Sequence, residues 1–269
     1  MNAEMNQHLE ALADLQSEAF LADLSPSLTG LASYRGKMMK LDYTAAIQLF
    51  QCLFASEACY QARSQRVVSV KESTEEFGVI ALSLPTITPF CSYVCRQEAG
   101  KITAFTLVLS DLQIRLPLFA GGQIIPDSPS AKKKFYHHAL MMGSLNARII
   151  ARDYAADAVV VTNMAESVCH GQAEIIQFCT RLMKQVGSIL KRFKLHGAPG
   201  IRWKIGTAEA GMLLFVGEAC GLNTVMTETY WISQDKIQFE SSIVDGEMLQ
   251  IVKAVLKPQK GEENNDSKS

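Results

Sequence analysis

Apolar residues recur at helical spacing near the start of the chain. Leu9, Leu12 and Leu15 follow one another at steps of three, and Tyr43–Ala62 carries a second apolar face. Because an α-helix has about 3.6 residues per turn, this spacing places the apolar side chains on one side of a helix. The pattern predicts a helical N-terminal segment over residues 1–64.

From Arg66 to Ile125 the pattern changes to short runs rich in β-branched and aromatic residues, separated by turn signals. Such runs favour strands. The clearest hairpin joins Phe90–Arg96 to Lys101–Leu109 through Gly100, which tolerates the positive φ of a tight turn. Leu112–Phe119 predicts a further strand. We therefore expect antiparallel strands in this region.

A helix is expected to begin at Ser128 or Ser130 and to end near Asp153, with His137 and His138 on an exposed basic start. Asp157 is interpreted as the turn before a buried strand. The remaining predicted elements are a strand over 158–162, a long helix over 172–194, a strand meander over 201–243 and a short helix over 247–256.

Together these patterns predict an α+β fold, with antiparallel sheet regions packed against long amphipathic helices. The expected division is a helical N-terminal segment over 1–64 and an α+β domain over 65–256, with a sub-boundary near 121–130. The polar residues 257–269 are expected to be a disordered tail. No internal repeat is evident in the sequence.

Composition narrows the class of protein. The chain has 48% hydrophobic residues, and its 26 basic and 27 acidic residues give a net charge of −1, so no global field indicates a nucleic-acid or membrane partner. The 7 cysteines have no framework spacing, and no secretory signal is present. We expect a cytoplasmic protein without a membrane helix.

The charges are nevertheless segregated along the chain. Residues 1–34 contain acids but no lysine or arginine, whereas no acid lies between Glu174 and Glu209. We expect this basic stretch to bind the acidic N-terminal helix or a protein partner, and nucleic acid is the alternative, with Trp203 available for stacking. The residues concerned are Arg181, Lys184, Lys191, Arg192, Lys194, Arg202, Trp203 and Lys204.

Two acids lie at the ends of predicted strands, Asp111 after Phe105–Leu109 and Asp157 before Ala158–Val161. Carboxylates so placed can hold divalent cations against a triphosphate. With the strand "GIRWKIGTAEAG" after the long helix, this order loosely resembles the catalytic domain of class III nucleotidyl cyclases. The resemblance implies Mg²⁺ or Mn²⁺ on the two acids, although Ala156 and Thr227 stand where the family has glycine and arginine.

No complete catalytic constellation is present in the sequence. The leading hypothesis is a non-enzymatic binding or regulatory protein that acts through protein contacts or self-association. The alternatives are a divalent-metal-dependent nucleotide-binding enzyme that uses Asp111 and Asp157, and a nucleic-acid-binding protein that uses residues 181–204. The catalytic residues and any cofactor other than Mg²⁺ or Mn²⁺ stay open.

Overall fold

The structure is a computed structural model in which a series of segments is described. These segments are residues 2–34, 37–56, 67–84, 87–109, 122–126, 128–164, 168–190, 201–204, 210–219 and 222–256. Within them, no helix is both long and apolar enough to cross a membrane. The predicted strand Leu112–Phe119 and the predicted disordered tail lie outside these segments.

The described residues of the first half form three helices and one sheet. The side chain of Asn2 caps the first helix, and that of Asp42 caps the third. The helices are α1 (Ala3–Ala13), α2 (Ser17–Ala22) and α3 (Tyr43–Phe54), and the strands are β1 (Leu24–Tyr34), β2 (Lys37–Leu41), β3 (Val67–Ser73), β4 (Phe77–Leu84), β5 (Ile87–Glu98), β6 (Lys101–Leu109) and β7 (Gln123–Ile125).

The described elements of the second half follow the same succession, but end in a helix where those of the first half end in a short seventh strand. A short helical turn, Ala151–Asp153, leads into its first strand. Its helices are α4 (Pro129–Gly143), α5 (Ala147–Ile150), α6 (Gly171–Leu190) and α7 (Glu247–Leu256), and its strands are β8 (Tyr154–Thr162), β9 (Cys169–His170), β10 (Ile201–Lys204), β11 (Ala210–Ala219), β12 (Leu222–Ser233) and β13 (Lys236–Gly246).

Six strands of sheet 1 have the same order as the six strands of sheet 2, and β7 extends sheet 1 at one edge; the shared order shows an internal structural repeat. Sheet 1 runs β3-β4-β5-β6-β1-β2-β7, and sheet 2 runs β10-β11-β12-β13-β8-β9. In each sheet one pairing is parallel, β1 with β6 and β8 with β13, while the other pairings are antiparallel. The chain is therefore an α+β protein built from two similar halves.

Local irregularities repeat as well. The β5–β6 hairpin turns through Ala99 and Gly100, and the β12–β13 hairpin turns through Gln234 and Asp235, all four at positive φ. Both hairpins shift register at the same step before the turn, after Arg96 in β5 and after Trp231 in β12. These matching turns and shifts fix which residues of the two halves are equivalent.

Strands β1 and β2 correct the expectation of a helical N-terminal segment over residues 1–64. Helices α1, α2 and α3 confirm the helical patterns, but residues 24–41 between them belong to sheet 1, where β1 pairs with β6. Pro26 lies in a register shift between Leu24 and Thr29, where the ladder needs no N–H donor. A proline, which lacks the N–H that a strand ladder uses, is therefore compatible with strand β1 at this position.

The predicted helix from Ser128 or Ser130 to Asp153 is interrupted. Helix α4 ends at Gly143, and Leu145 follows at a φ of 53°. A separate helix, α5, then begins after its cap residue Asn146. The hairpin of β5 and β6, the helix α6 and the last helix α7 are confirmed. The chain passes from sheet 1 to α4 between Ile125 and Pro129, inside the range 121–130 where a sub-boundary was expected.

The molecule has four layers, because each sheet buries both faces. Helices α1 and α3 cover one face of sheet 1, and α6 and α7 cover one face of sheet 2. The two remaining faces pack against each other through a shared apolar cluster. That cluster includes Phe77, Val79, Val94, Val161, Phe239 and Ile243.

We predict that Gly30→Ala destabilises the fold. A Cβ atom at Gly30 would lie 2.4 Å from ring atoms of Phe105, whose side chain is enclosed in the first core. Relieving that overlap should cost about 1–3 kcal/mol of unfolding free energy, measured by urea denaturation. Gly143→Ala is the control, since a Cβ atom there would have no heavy atom of the described residues within 4 Å. Equal effects of the two substitutions would contradict this packing.

Candidate functional site

A buried histidine contacts an aspartate fifteen residues later in each half. His8 on α1 places Nδ1 3.1 Å from Oδ2 of Asp23, and His138 on α4 places Nδ1 3.1 Å from Oδ2 of Asp153. In both halves the helix is followed by a leucine at positive φ, which turns the chain back toward the histidine. The His–Asp pair is therefore a part of the repeated frame.

The first half closes around its histidine with aromatic side chains. Nε2 of His8 lies 3.0 Å from the hydroxyl of Tyr93, and the rings of Phe20, Phe50 and Phe105 pack around this pair. All of these side chains are almost fully buried. Burial lowers the pKa of His8 despite the nearby Asp23 carboxylate, so this histidine is neutral near pH 7.

The equivalent positions of the second half carry acids. In sheet 1, Cys95 pairs with Phe105 and Tyr93 pairs with Leu107; in sheet 2, Tyr230 pairs with Glu240 and Glu228 pairs with Ser242. With the hairpins aligned on their turns, Glu240 takes the place of Phe105 and Glu228 that of Tyr93. Two carboxylates thus replace two aromatic rings on the helix-facing side of the sheet.

These acids belong to a connected polar cluster, which we call the Glu–Tyr–His cluster. The hydroxyl of Tyr154 donates to Glu240, and the hydroxyl of Tyr230 donates to Glu228. The Tyr154 oxygen also lies 3.5 Å from Nε2 of His138. The cluster consists of His138, Asp153, Tyr154, Glu228, Tyr230 and Glu240.

Electrostatics set this cluster apart from the first half. Burial and the charge of Glu240 raise the pKa of Glu228 to about 7, and burial raises the pKa of Glu240. Burial opposes the charged form of His138, but the hydrogen bond to Asp153 and the neighbouring carboxylates outweigh it and raise its pKa. The histidine of the second half therefore favours the charged form, whereas His8 favours the neutral form.

Asp153 has the opposite environment to the two glutamates. Its Oδ1 lies 2.9 Å from Nδ1 of His137 and 3.5 Å from Nζ of Lys134, in addition to the contact with His138. Burial opposes its ionisation, yet these partners outweigh burial and lower the pKa of Asp153. The cluster therefore combines an aspartate whose ionised form is favoured with a coupled pair of glutamates whose charged forms are opposed by burial.

The cluster is accessible at one side. Glu228 is half-buried, and the apolar core around the cluster is bordered by partly exposed side chains. Four of these are methionines, whose flexible thioether chains adapt to different ligand shapes. They are Met142, Met164, Met183 and Met226.

An open cleft of about 1330 Å³ lies elsewhere, between the two halves. Its walls combine acids, bases and the ring of Trp231. Asp157 lines this cleft with an exposed side chain, beside His170 of β9. The charges on its walls have both signs, and Arg96 is already paired with Glu76.

The structure corrects the interpretation of Asp157 as a turn before a strand. Strand β8 begins at Tyr154, and Asp157 lies inside it, in the register shift between Tyr154 and Val159. Asp111 lies outside the described residues. Among the residues described, no three His, Cys, Asp or Glu side chains are arranged to hold a metal ion.

The basic stretch is described only in part. Arg181 and Lys184 are on α6, and both residues are exposed. Lys191, Arg192 and Lys194 lie outside the described residues, and Arg202, Trp203 and Lys204 lie on β10, where the structure describes the backbone alone. Helix α1 packs on α2, β3 and β4, and Glu10 pairs with Lys71. In the described residues, the acidic helix therefore contacts the first half and not the basic residues of α6.

Sequence reasoning missed the Glu–Tyr–His cluster and placed His138 on an exposed helix start, whereas it is buried at 4% exposure. One signal was present. Met226, Glu228 and Tyr230 alternate along β12, so an acid occupies a position that alternation assigns to the buried face. Nothing in the sequence alone pairs this acid with Glu240 of the next strand.

Comparisons with known proteins find structural neighbours only: no family model matches the sequence, and no curated protein matches it. A steroid delta-isomerase from Pseudomonas aeruginosa has 12% identity and a TM-score of 0.37, over 49% of this chain and 92% of its own. A cystatin-like protein from Silicibacter pomeroyi has 11% identity and a TM-score of 0.35, over 46% and 82%. An NTF2-like protein of unknown function from Burkholderia xenovorans has 10% identity and a TM-score of 0.32, over 44% and 84%.

We predict that the stability of the protein falls as pH rises through neutrality because of Glu228. The unfolded glutamate has a pKa of 4.5 and the folded one about 7, so between these values the folded state binds the extra proton and loses stability as pH rises. Each unit of pKa difference corresponds to about 1.4 kcal/mol, so the unfolding free energy should fall by about 3 kcal/mol at most. His138, whose folded pKa is raised above 6.5, acts in the same direction, and His8 acts in the opposite one.

The measurement is urea denaturation at pH 5.5 and pH 8. Glu228→Gln should lose less stability between the two pH values than the wild type, since the substituted side chain does not ionise. Glu18→Gln, at an exposed position of α2, is the control and should leave the pH dependence unchanged. A Glu228→Gln variant with the full wild-type pH dependence would contradict this assignment.

Proposed function

We propose that the protein binds a small molecule on the helix-facing side of sheet 2, and that the protonation of Glu228 and Glu240 changes when the molecule binds. The observation that carries this proposal is the replacement of Tyr93 and Phe105 by these two acids in an otherwise repeated frame. The first half folds with aromatic residues at these positions, so the fold itself does not require acids there. Buried acids that the fold does not require are typical of a binding or catalytic site.

The acid–base properties of the cluster support the same proposal. A group exchanges protons most effectively when its pKa lies near the working pH, and the pKa of Glu228 is about 7. The Tyr154 hydroxyl connects Glu240 to His138, and His138 contacts Asp153. A proton that the cluster gains or loses when a ligand binds can therefore be shared along its hydrogen bonds.

A double substitution tests the proposed site. Glu228→Tyr with Glu240→Phe gives the second half the residues of the first, and the variant should fold, gain stability above pH 7 and lose small-molecule binding. Binding is measured by ligand-detected NMR with a library of small aromatic and aliphatic molecules. Glu228→Gln with Glu240→Gln preserves side-chain volume and should also lose binding. Molecules that bind the wild type and the Gln variant equally would contradict the proposal.

A second function, contact with a protein partner, is supported by Arg181 and Lys184 on α6. The acidic helix α1 packs on its own half and so leaves these described cations uncovered. A cytoplasmic location is part of this proposal and is supported by the free thiols of Cys95, Cys169 and Cys179. Nucleic acid is the alternative partner of the same cations.

The contact function is tested by charge reversal. Arg181→Glu with Lys184→Glu should abolish any association of the full chain that light scattering detects at low salt, because both cations lie on α6 away from the acidic helix. Lys101→Glu, at an exposed position of β6, is the control. Deletion of residues 1–34 is not suitable, since it removes β1 from sheet 1. Unchanged association in the α6 variant would contradict this second function.

A further inference from the structure

The charges around the Glu–Tyr–His cluster are unevenly balanced. Asp153 faces three nitrogen bases, namely Lys134, His137 and His138. Glu228 and Glu240 face one basic side chain among the described residues, His138, and its Nδ1 is already bonded to Asp153. The other partners of the two glutamates are neutral hydroxyls of Tyr154, Tyr230 and Ser242.

Two buried carboxyls with neutral donors remain ionised only at a large cost in desolvation free energy. They retain a proton instead, and the pair is left with an unmet demand for positive charge. A cationic donor placed between them would allow both to ionise. An ammonium group supplies donors only, which suits two acceptor groups.

The two halves also differ in what lies beside Tyr230 and beside its counterpart Cys95. Gly78 of β4 and Gly211 of β11 occupy equivalent places, opposite Cys95 and Tyr230. A Cβ atom at Gly78 would lie 2.5 Å from Sδ of Met5, so the first half fills this space from α1. At Gly211, Tyr230 alone among the described side chains comes within 4 Å of that position, at 3.8 Å.

The surroundings of this space suit an organic cation. The rings of Tyr154 and Tyr230 lie 5.4 and 5.6 Å from the ring of His138, centroid to centroid, and their faces attract positive charge. The partly exposed methionines provide apolar contact for the body of a ligand. The acidic pair, the aromatic faces and the methionine side chains therefore all favour an organic cation.

We propose that the ligand of the Glu–Tyr–His cluster is a small organic amine, bound as its ammonium ion by Glu228 and Glu240, with release to solvent of the proton that the two carboxyls share. This inference rests on the proposed function, of which it specifies the ligand. No covalent bond of the ligand changes on binding: the ammonium keeps its protons, and the carboxyl proton leaves to water.

Proton release makes the affinity depend on pH. Below the pKa of the pair, each unit of pH should raise the affinity about tenfold, and above it the affinity should level off. The groups that face the pair come from every element packed around it. They are His138 on α4, Tyr154 on β8, Cys169 on β9, Cys179 on α6, Tyr230 on β12 and Ser242 on β13, and Asp153 acts on the pair through His138.

The test is calorimetric titration of the full chain with benzylamine and hexylamine at pH 6, 7 and 8, in buffers of different ionisation enthalpy. Benzyl alcohol and hexanol are the neutral isosteres, and benzoate and hexanoate the anions. We expect the amines to bind at least about tenfold more tightly than the alcohols, with close to one proton released at pH 6 and fewer at pH 8.

Three variants locate the binding. Glu228→Gln should remove the preference for amines and the proton release. Gly211→Val should abolish binding by filling the space beside Tyr230, and its neutral side chain adds no charge to the cluster. Asp157→Asn, which removes an exposed acid of the cleft between the halves, is the control and should leave amine binding unchanged.

Each other outcome has a definite meaning. Alcohols that bind as tightly as amines, or anions that bind more tightly with proton uptake, would overturn the cationic ligand while leaving the small-molecule site in place. Amine binding that survives Glu228→Gln or is lost in Asp157→Asn would overturn the assignment to this cluster. Failure of amines, alcohols and anions alike would overturn both the ligand class and the proposed function.

Discussion

Each sheet of this protein has two faces to bury, and the packing of the two sheets against each other determines the rest of the structure. The shared cluster joins Phe77 and Val94 of sheet 1 to Phe239 and Ile243 of sheet 2. Because this contact covers one face of each sheet, helices are needed on the outer faces only. The chain therefore forms two outward-facing helix–sheet cores with independent interiors.

That independence explains how one frame supports two kinds of interior. The contact between sheets contributes apolar burial to both halves, so neither outer core has to supply all of the stability. The first half uses its outer core for aromatic packing around His8, and the second half places Glu228, Glu240 and a histidine of raised pKa, His138, there. Because the His–Asp pair occurs in both halves, we assign it a role in positioning the helix against its sheet. The two glutamates are the groups that distinguish the second half.

Helices α1, α3 and α6 and the β5–β6 hairpin could be predicted because their patterns are local. Strand β1 could not, because Pro26 indicates a break and its place in a register shift becomes visible only beside β6. The same shift in β8 contains Asp157, which explains an acid within a buried-looking run. The repeat could not be recognised in the sequence because equivalent residues such as Phe105 and Glu240 differ in chemistry. Without the repeat, the sequence gives no reason to compare these two positions, so the site was missed as well.

The most direct measurement is the titration of the glutamate carboxyl carbons by NMR, with the Glu228 signal assigned from Glu228→Gln. We predict one carboxyl that titrates near pH 7 and shifts toward the ordinary range when Glu240 is replaced by Gln, since the charge of Glu240 is one cause of the raised pKa of Glu228. Titration of Glu228 near 4.5, the value of an exposed glutamate, would contradict the central claim that the second half holds a proton-sharing pair of buried acids.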